Sequence, residues 1–265
     1  MNVISSEVET SLENSGSGRI HRSFDCARDH TNTEVIRCLF EALTVYYDDV
    51  SHSASMNMAI DESLLERAAV PIIRFYRWHS PALSFGYFGK FSEVAIYAAE
   101  RELVRRWTGG GIVLHGNDLT YSIVIPASDP TFDGSSIAIY ERVHRSLAHA
   151  LNGIGKQAEV VGSGRCADRT PQRGVPTKNC FANPVRADVM MDGRKIAGAA
   201  QRRTRRGLLQ QGSIQGFAIK TSLAQKFAQS LSANCRDFEF DEPIFQRAQE
   251  LAQEKYGTDS WLHKR

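Results

Sequence analysis

The chain has 265 residues, 42% hydrophobic and 23% charged, which is ordinary for a folded protein of one large domain or two small ones. Its formal net charge is +2, so no overall field directs it to nucleic acid or to a membrane, and no apolar run approaches the roughly 18 residues that span a bilayer. Five widely spaced cysteines, an odd number without a CxxC pair, argue against a zinc finger and a disulfide framework and indicate the reducing cytoplasm.

The first segment, residues 1–40, is rich in Ser, Glu, Asn, Gly, Arg and Thr and has little periodicity. We expect a disordered extension there. It lacks the basic region followed by an apolar region that marks a secretory signal. The alternative that this segment precedes the true start of the protein stays open. Since no internal repeat follows, we expect a single folded domain over residues 43–265.

The first half of that domain shows helix and strand patterns in turn. Apolar residues at every fourth position predict an amphipathic helix over 56–69. β-type runs follow at 72–78 and 82–86, separated by the turn signal Ser80-Pro81. Residues 93–102 are predicted to be helical.

Strict alternation marks the next strand, where four apolar residues would share one face of a sheet. They are Leu119, Tyr121, Ile123 and Ile125. We predict that this strand forms a hairpin with 112–115. A second long helix is predicted over 139–151, ended by Asn152-Gly153, and a short strand over 158–161.

The C-terminal half begins with a loop predicted over 162–178. We then predict a hairpin, a further strand and two helices, at 187–191 with 195–201, at 207–214, and near 223–231 and 243–256. Because the strands come in hairpins rather than alternating with helices, the prediction is an α+β fold with a mixed, largely antiparallel sheet flanked by helices.

Several residues are suited to a site that binds an acyl group and an anionic carrier. They are Arg105, Arg106, Gly109, Gly110, Gly111 and His115, and then Lys195 beside Ala197 and Gly198. The glycine run is not a phosphate-binding P-loop, because no Gly-Lys-Ser/Thr follows it. A structural role for the histidine, and a solvated position for one of the two arginines, stay open.

Taken in order, these pieces resemble the lipoate-protein ligase and octanoyltransferase family, whose fold is shared with biotin-protein ligases. The resemblance runs from about Tyr46 to about Gln215. It is carried by Asn57-Met58-Ala59-Ile60-Asp61-Glu62, Trp78-His79-Ser80-Pro81, Ser84-Phe85-Gly86-Tyr87, the block from Arg105 to His115, and Lys195-Ile196-Ala197-Gly198. The chain departs from many relatives at Gln211, where they carry a histidine before the glycine.

The resemblance has a cysteine-dependent branch, which carries Cys-Phe-x-x-Pro shortly before the lysine strand, as at Cys180–Pro184 here. That branch takes an acyl group from a thioester or from another lipoyl protein. The ligase branch activates free lipoate with ATP and often has a further C-terminal domain. The few residues after Gln215 leave little room for such a domain, and together with Cys180 they favour the transferase branch.

In the transferase branch, Cys180 is the expected nucleophile, with Lys195 as the cation that keeps its thiol ionised and stabilises the oxyanion. The glycine run, Arg106 and His115 are expected to line the acyl site. A buried, inert Cys180 and a Lys195 that is only a hairpin charge are the alternatives. The arginines at 202–206 are expected to be solvated, or to steer an acidic carrier protein.

These residues predict an octanoyl or lipoyl acyltransferase that needs no cofactor, neither metal nor ATP. The expected donor is an acyl carrier protein or an acylated glycine-cleavage H protein, and the expected acceptor is a lysine of a lipoyl-domain protein. No nucleic acid or membrane partner is expected. An ATP-dependent ligase and a non-catalytic lipoyl-binding protein are the alternatives.

Overall fold

The structure is a computed structural model that describes residues 38–162, 184–219, 222–238 and 241–264. Of the predicted extension at 1–40, residues 1–37 lie outside the described residues. Most of the predicted loop at 162–178 and the predicted nucleophile Cys180 also lie outside them.

The main layer is an eight-stranded sheet. Its strands are β1 (Leu43–Tyr47), β2 (Ile72–Tyr76), β6 (Leu119–Pro126), β7 (Ala158–Val160), β8 (Val189–Met191), β9 (Arg194–Arg203), β10 (Gly207–Ile214) and β11 (Cys235–Asp237). The spatial order is β11-β1-β2-β6-β10-β9-β8-β7. Strand β1 runs parallel to β11 and β2, and the other pairs are antiparallel, so the predicted mixed, largely antiparallel sheet is confirmed.

A second, three-stranded sheet is formed by β3 (Ala82–Phe85), β4 (Glu102–Arg105) and β5 (Ile112–His115), in the order β4-β3-β5. The helices are α1 (Ala54–Arg67), α2 (Ser136–Asn152), α3 (Ser222–Leu231), α4 (Glu242–Leu251) and α5 (Asp259–Leu262). The hydroxyl groups of Ser53 and Ser135 accept hydrogen bonds from the first turns of α1 and α2, so serine caps fix where both long helices begin. The predicted helices at 56–69 and 139–151 are therefore confirmed, with shifted ends.

Two apolar clusters lie on opposite faces of the large sheet. Helices α2 and α3 pack with the four alternating residues of β6, from Leu119 to Ile125, as predicted. On the other face, α1 and α4 pack with Val124 of β6 and Leu209 of β10. Strand β6 is thus buried on both faces, which makes it the centre of the molecule.

The predicted helix at 93–102 is wrong. Two 3-10 turns, Phe91–Glu93 and Ala95–Tyr97, lead into strand β4, which the sequence patterns missed. Val94 is buried whereas Ile96 is 79% exposed. Phe91 and Tyr97 pack in the same apolar cluster as Val94, and this spacing of three residues matches the three residues per turn of a 3-10 helix.

The predicted hairpin of 112–115 with the next strand is also wrong, although both strands exist. Strand β5 pairs with β3 in the small sheet, whereas β6 pairs with β2 and β10 in the large one. At the turn between them, Asp118 accepts hydrogen bonds from the Gly116 amide and from the side chain of His115, so the turn carries the chain from one sheet to the other. The hairpin predicted from β8 and β9 is confirmed.

Two smaller observations concern the class of protein. In the ranges that the structure describes, no helix combines the length and the apolar character needed to cross a membrane. Cys235 is a free thiol.

Candidate active site

A pocket lies between the two sheets, with α1 along one side, and its open volume is about 490 Å³ when the solvent at its mouth is included. Its lining residues are Met58, Tyr76, Trp78, Ser84, Arg106, Gly110, Val113, His115, Thr120, Lys195, Gly198, Ala199, Ala200, Gln211, Gly212 and Ser213. Five of the residues singled out in the sequence line it: Arg106, Gly110, His115, Lys195 and Gly198.

Arg106 holds the glycine loop in place. Its Nη2 donates to the carbonyl oxygens of Gly109 and Gly111, at 3.0 and 2.9 Å. Gly110 has φ +85°, a conformation that favours glycine. A Cβ at Gly86 would lie 2.0 Å from the Gly110 oxygen, so two glycines are needed for strand β3 and the loop to touch. The loop is therefore held in place as a wall of backbone on one side of the pocket.

A buried chain of hydrogen bonds runs behind Arg106. Its Nη1 donates to Ser84 Oγ at 2.7 Å, Ser84 Oγ lies 2.7 Å from His115 Nε2, and His115 Nδ1 lies 2.7 Å from Asp118 Oδ2. Because arginine only donates, the serine proton points at Nε2, and the Nδ1 proton of the imidazole points at the carboxylate. Arg106 is thus anchored through Ser84 and His115 to Asp118.

Burial, together with the charge of Arg106, lowers the pKa of His115 below its usual 6.5, and Asp118 only partly offsets this. The imidazole is therefore neutral at pH 7. Burial alone would raise the pKa of Asp118, but hydrogen bonds from His115, Gly116 and Ser213 lower it to about 2. Trp78 stacks on His115 with ring centres 4.0 Å apart, which fixes the imidazole plane.

Lys195 lies at the other side of the pocket. Its Nζ is 2.8 Å from Asp188 Oδ2, and the two side chains are 6% and 0% exposed. The pair sits beside a register shift between Val189 and Met190, the kind of irregularity that re-aims side chains. A Cβ on Gly198 would lie 2.6 Å from Lys195 Cε, so the absence of a side chain at Gly198 leaves room for the lysine to cross over it.

Asp188 is itself held from two directions. Tyr140 of α2 donates to Asp188 Oδ1 at 2.7 Å, and the Val185 amide donates to Oδ2 at 2.7 Å. The ammonium of Lys195 and the amide of Val185 therefore share one carboxylate oxygen. This contact brings the segment that follows Pro184 next to Lys195.

The end of the pocket at α1 is closed by a second polar network. Asp61 accepts hydrogen bonds from Arg74 Nη1 at 2.9 Å, Tyr76 OH at 3.2 Å and Gln211 Nε2 at 2.7 Å. The Gln211 oxygen accepts a bond from Thr108 at 2.8 Å, just before the glycine run. Gln211, which stands where many relatives carry histidine, therefore connects the loop to α1 without a titratable group.

The structure does not bring every expected residue to the pocket. Arg105 points away, and its guanidinium donates to the carbonyls of Trp261 and Leu262 at the end of α5. Ala197 is fully buried in the apolar cluster on the opposite face. Gly109 and Gly111 are not among the lining residues, but their carbonyls accept hydrogen bonds from Arg106. Cys180 lies outside the part of the chain that is described.

Ser84, Asp118 and Asp188 also belong to the site, although the sequence patterns did not identify them. Asp118 lies in the turn of the predicted hairpin, and its position three residues after His115 was the available signal. Ser84 lies in an otherwise apolar strand, where a lone hydroxyl indicates a buried hydrogen bond. Asp188, seven residues before Lys195 and on the other side of the turn at Asp192-Gly193, had no such signal.

Two curated relatives are similar to this chain. The octanoyltransferase LipM of Brevibacillus brevis is 34% identical over 170 residues, which cover 61% of this chain and 62% of the relative. The LipM of Carboxydothermus hydrogenoformans is 37% identical over 177 residues, covering 64% and 63%. The matched region is therefore less than two thirds of the length of these relatives.

Among solved structures, a putative lipoate protein ligase from T. acidophilum superposes with a TM-score of 0.64 at 22% identity, covering 85% of this chain and all of the other. At that identity the likeness establishes the fold, and it agrees with the α+β architecture. The family model of the lipoyl protein ligase A/B catalytic domain matches residues 53–239, which include every pocket-lining residue. The chain therefore belongs to the lipoyl protein ligase A/B catalytic domain family.

Proposed function

We propose that this chain is an acyltransferase that moves an octanoyl or lipoyl group through a thioester on Cys180 to the acceptor lysine of a lipoyl domain or glycine-cleavage H protein. The similarity to two LipM octanoyltransferases supports the reaction class. The thioester route is the finer part of the proposal and rests on the surroundings of Lys195.

The observation that carries the proposal is the carboxylate oxygen shared by Lys195 Nζ and the Val185 amide. Cys180 precedes Val185 by five residues. Five residues reach at most about 18 Å, a length of chain that permits Cys180 to approach the buried ammonium. A nearby cation lowers the pKa of a thiol and favours the thiolate, which is the nucleophilic form.

In the first step, the Cys180 thiolate attacks the carbonyl carbon of the donor thioester. The new carbon–sulfur bond forms as the bond to the donor sulfur breaks, and the donor leaves as a thiolate that takes a proton from water. In the second step, the neutral amine of the acceptor lysine attacks the Cys180 thioester and loses a proton to water. An amide forms, and Cys180 leaves as the thiolate with which the cycle began.

The pocket residues have distinct parts in these steps. Lys195 donates to the carbonyl oxygen as it becomes an oxyanion, and one such donor is worth about 3 kcal/mol. The wall of Gly110, Val113 and Ala200 contacts the acyl chain. The neutral His115 takes no proton in either step and keeps Arg106 and the loop in position.

Intact mass tests the proposal. The protein is incubated with the octanoyl thioester of an acyl carrier protein, and separately with lipoate and ATP. We expect an octanoyl adduct with the thioester alone, absent in Cys180→Ser, and transfer of the adduct to an added lipoyl domain. Full activity of Cys180→Ser would contradict the cysteine route.

A second candidate is an ATP-dependent lipoate ligase, because the superposing structure from T. acidophilum is a putative lipoate protein ligase. Modification of the lipoyl domain that requires lipoate and ATP, and persists in Cys180→Ser, would favour that candidate. If no donor modifies any acceptor lysine, a non-catalytic lipoyl-binding protein is the better explanation.

A further inference from the structure

A cluster of cations stacked on aromatic rings lies beside the glycine loop. We call it the cation–aromatic surface. It consists of Arg202, Lys255, Lys264, Tyr87, Trp107 and Trp261. Arg202 Cζ is 5.0 Å from the ring centre of Tyr87 and 5.1 Å from that of Trp107. Lys264 Nζ is 4.8 Å from the ring centre of Tyr87, and Lys255 Nζ is 4.5 Å from that of Trp261.

This surface borders the pocket. A Cβ on Gly110 would touch the Ala200 Cβ at 3.3 Å, so the glycine loop meets strand β9 at Ala200. Arg202 is two residues further along β9 and therefore on the same face. Trp107 follows the pocket residue Arg106 directly, and the Tyr87 amide donates to the Thr108 carbonyl at 2.9 Å. The cation–aromatic surface therefore begins at Arg202, two residues beyond the pocket residue Ala200.

One of the three cations forms an ion pair with a carboxylate. Lys255 pairs with Glu62, at 2.5 Å. Within the four described ranges, Arg202 and Lys264 make no ion pair with a carboxylate. Lys264 is exposed, and its hydrogen bond to Tyr87 lowers the pKa of that phenol. Phe88, next to Tyr87, is 84% exposed, so the surface combines positive charge with an accessible apolar ring.

We infer that the cation–aromatic surface docks the acidic face of the acceptor domain, around the lysine that is modified. This rests on the proposed function, because the acceptor amine has to enter the pocket while its domain stays folded. The domain must then cover the residues that border the pocket. Carboxylates flanking the acceptor lysine would pair with Arg202 and Lys264, and an apolar residue beside them would contact Phe88.

The test reverses both unpaired charges in Arg202→Glu/Lys264→Glu. The matched control, Lys226→Glu/Arg236→Glu, makes the same charge change at two exposed residues on α3 and β11, away from the pocket. Self-acylation is first measured by intact mass with the small donor octanoyl-N-acetylcysteamine. Transfer to an excess of lipoyl domain is then followed from the preloaded enzyme.

We expect both double variants to load like the wild type. The second-order rate constant of transfer should fall about tenfold or more in Arg202→Glu/Lys264→Glu only. In that variant the rate constant should also depend less on salt concentration. Lipoyl domains with lysines in place of the flanking carboxylates should recover part of the rate with this variant. Equal losses in the control, or an unchanged transfer rate, would overturn the inference.

A further arm separates donor from acceptor. If loading from an octanoyl acyl carrier protein is impaired while transfer to the lipoyl domain is normal, the surface serves the donor and the inference is wrong. If wild-type protein is never acylated, the proposed function fails instead. Binding of the unmodified lipoyl domain, measured by calorimetry, then decides the inference, because only Arg202→Glu/Lys264→Glu should weaken it.

Discussion

The two faces of the large sheet are built from the same strands but hold very different side chains. Along β6, the residues that face α2 and α3 are apolar, whereas Thr120 and Ser122 on the other face enter polar networks. Strand β10 repeats this division, with Leu208 and Ile214 on the apolar side and Gln211 and Ser213 on the pocket side. Each of these two strands therefore contributes one face to the apolar core and the other face to the polar side of the sheet.

The difference shows where the fold is stabilised and where the chemistry lies. Burial of apolar surface on the α2 side favours folding, at roughly 25 cal/mol for each Å². Burial of Asp61, Asp118 and Arg106 on the pocket side has a desolvation cost that their hydrogen bonds offset. Tyr140 connects the two sides of the sheet, because it lies on α2 and its hydroxyl donates to Asp188, the partner of Lys195. Mutations on the two sides should therefore separate activity from stability.

The largest expected effect on activity is at Lys195. Lys195→Met should slow acyl transfer about 10²- to 10³-fold, because the oxyanion loses its cationic donor. Removing one member of a buried ion pair also destabilises the fold, so Lys195→Met/Asp188→Asn is made as well. That double variant should unfold at a denaturant concentration closer to that of the wild type and still lack activity. The exposed neighbour in Arg194→Met is the control, and a double variant with normal activity would contradict the role of Lys195.

On the opposite face, Leu147→Ala should change stability and leave chemistry alone. Leu147 is fully buried in α2, and removing its side chain should lower the free energy of unfolding by about 4 kcal/mol, measured in urea. The rate constant of transfer for the folded protein should be unchanged. In the same helix, Ile137 is 47% exposed, and Ile137→Ala should cost under about 1 kcal/mol. A large fall in the rate constant for Leu147→Ala would break the division between the faces.

A single titratable group should make the apolar face sensitive to acid. Burial lowers the pKa of His144 from 6.5 to about 4, and its ring bonds the Ala187 carbonyl and Tyr121. Between these two pKa values the unfolded chain binds more protons than the folded protein, so stability falls as the pH is lowered from about 6.5 to about 4. The loss should be roughly 3 kcal/mol.

Urea unfolding at pH 7 and pH 4.5 measures this loss, with His144→Gln as the comparison. The variant is expected to be less stable at pH 7 and to show a flatter change between the two values. If wild type and variant lose the same amount of stability, other groups account for the acid sensitivity.

The smallest effect concerns the space above Gly198. In Gly198→Ala, the new Cβ would occupy the position of the Lys195 side chain, which then swings away from the pocket. We expect about a tenfold slower transfer, roughly 1.4 kcal/mol, with little change in unfolding. Gly116→Ala adds a methyl group at a position with nothing within 4 Å and should change neither. A normal rate for Gly198→Ala would show that the exact position of the ammonium is unimportant.

Much of this arrangement was predictable from sequence because it depends on local patterns. Alternation in β6, the period of four in α1 and the turn before Lys195 each describe contacts among near neighbours in the chain. Arg106, Gly110 and His115 were identified as site residues for the same reason, as parts of one contiguous block. The resemblance to the family supplied the order in which these blocks belong together.

The errors come from contacts between distant parts of the chain. Nothing local in β5 indicates that it pairs with β3 rather than with β6. The link from Arg106 through Ser84 to His115 connects the end of β4 with β3 and β5, all three strands of the small sheet. The link from Lys195 to Asp188 lies beside a register irregularity. Arg105 and Arg106 are adjacent and chemically identical, and only tertiary packing decides which of them enters the pocket.

Arg105 has a consequence of its own. Its side chain ties the carbonyls of Trp261 and Leu262 to those of Tyr87 and Gly89, and the Trp261 ring donates back to the Arg105 carbonyl. Helix α5 is thereby bonded to β4. The residue that follows β4 is Arg106, which orients the glycine loop. Displacing that turn, by proteolysis or by a fusion tag, would lower the catalytic rate without altering any group that contacts the acyl chain.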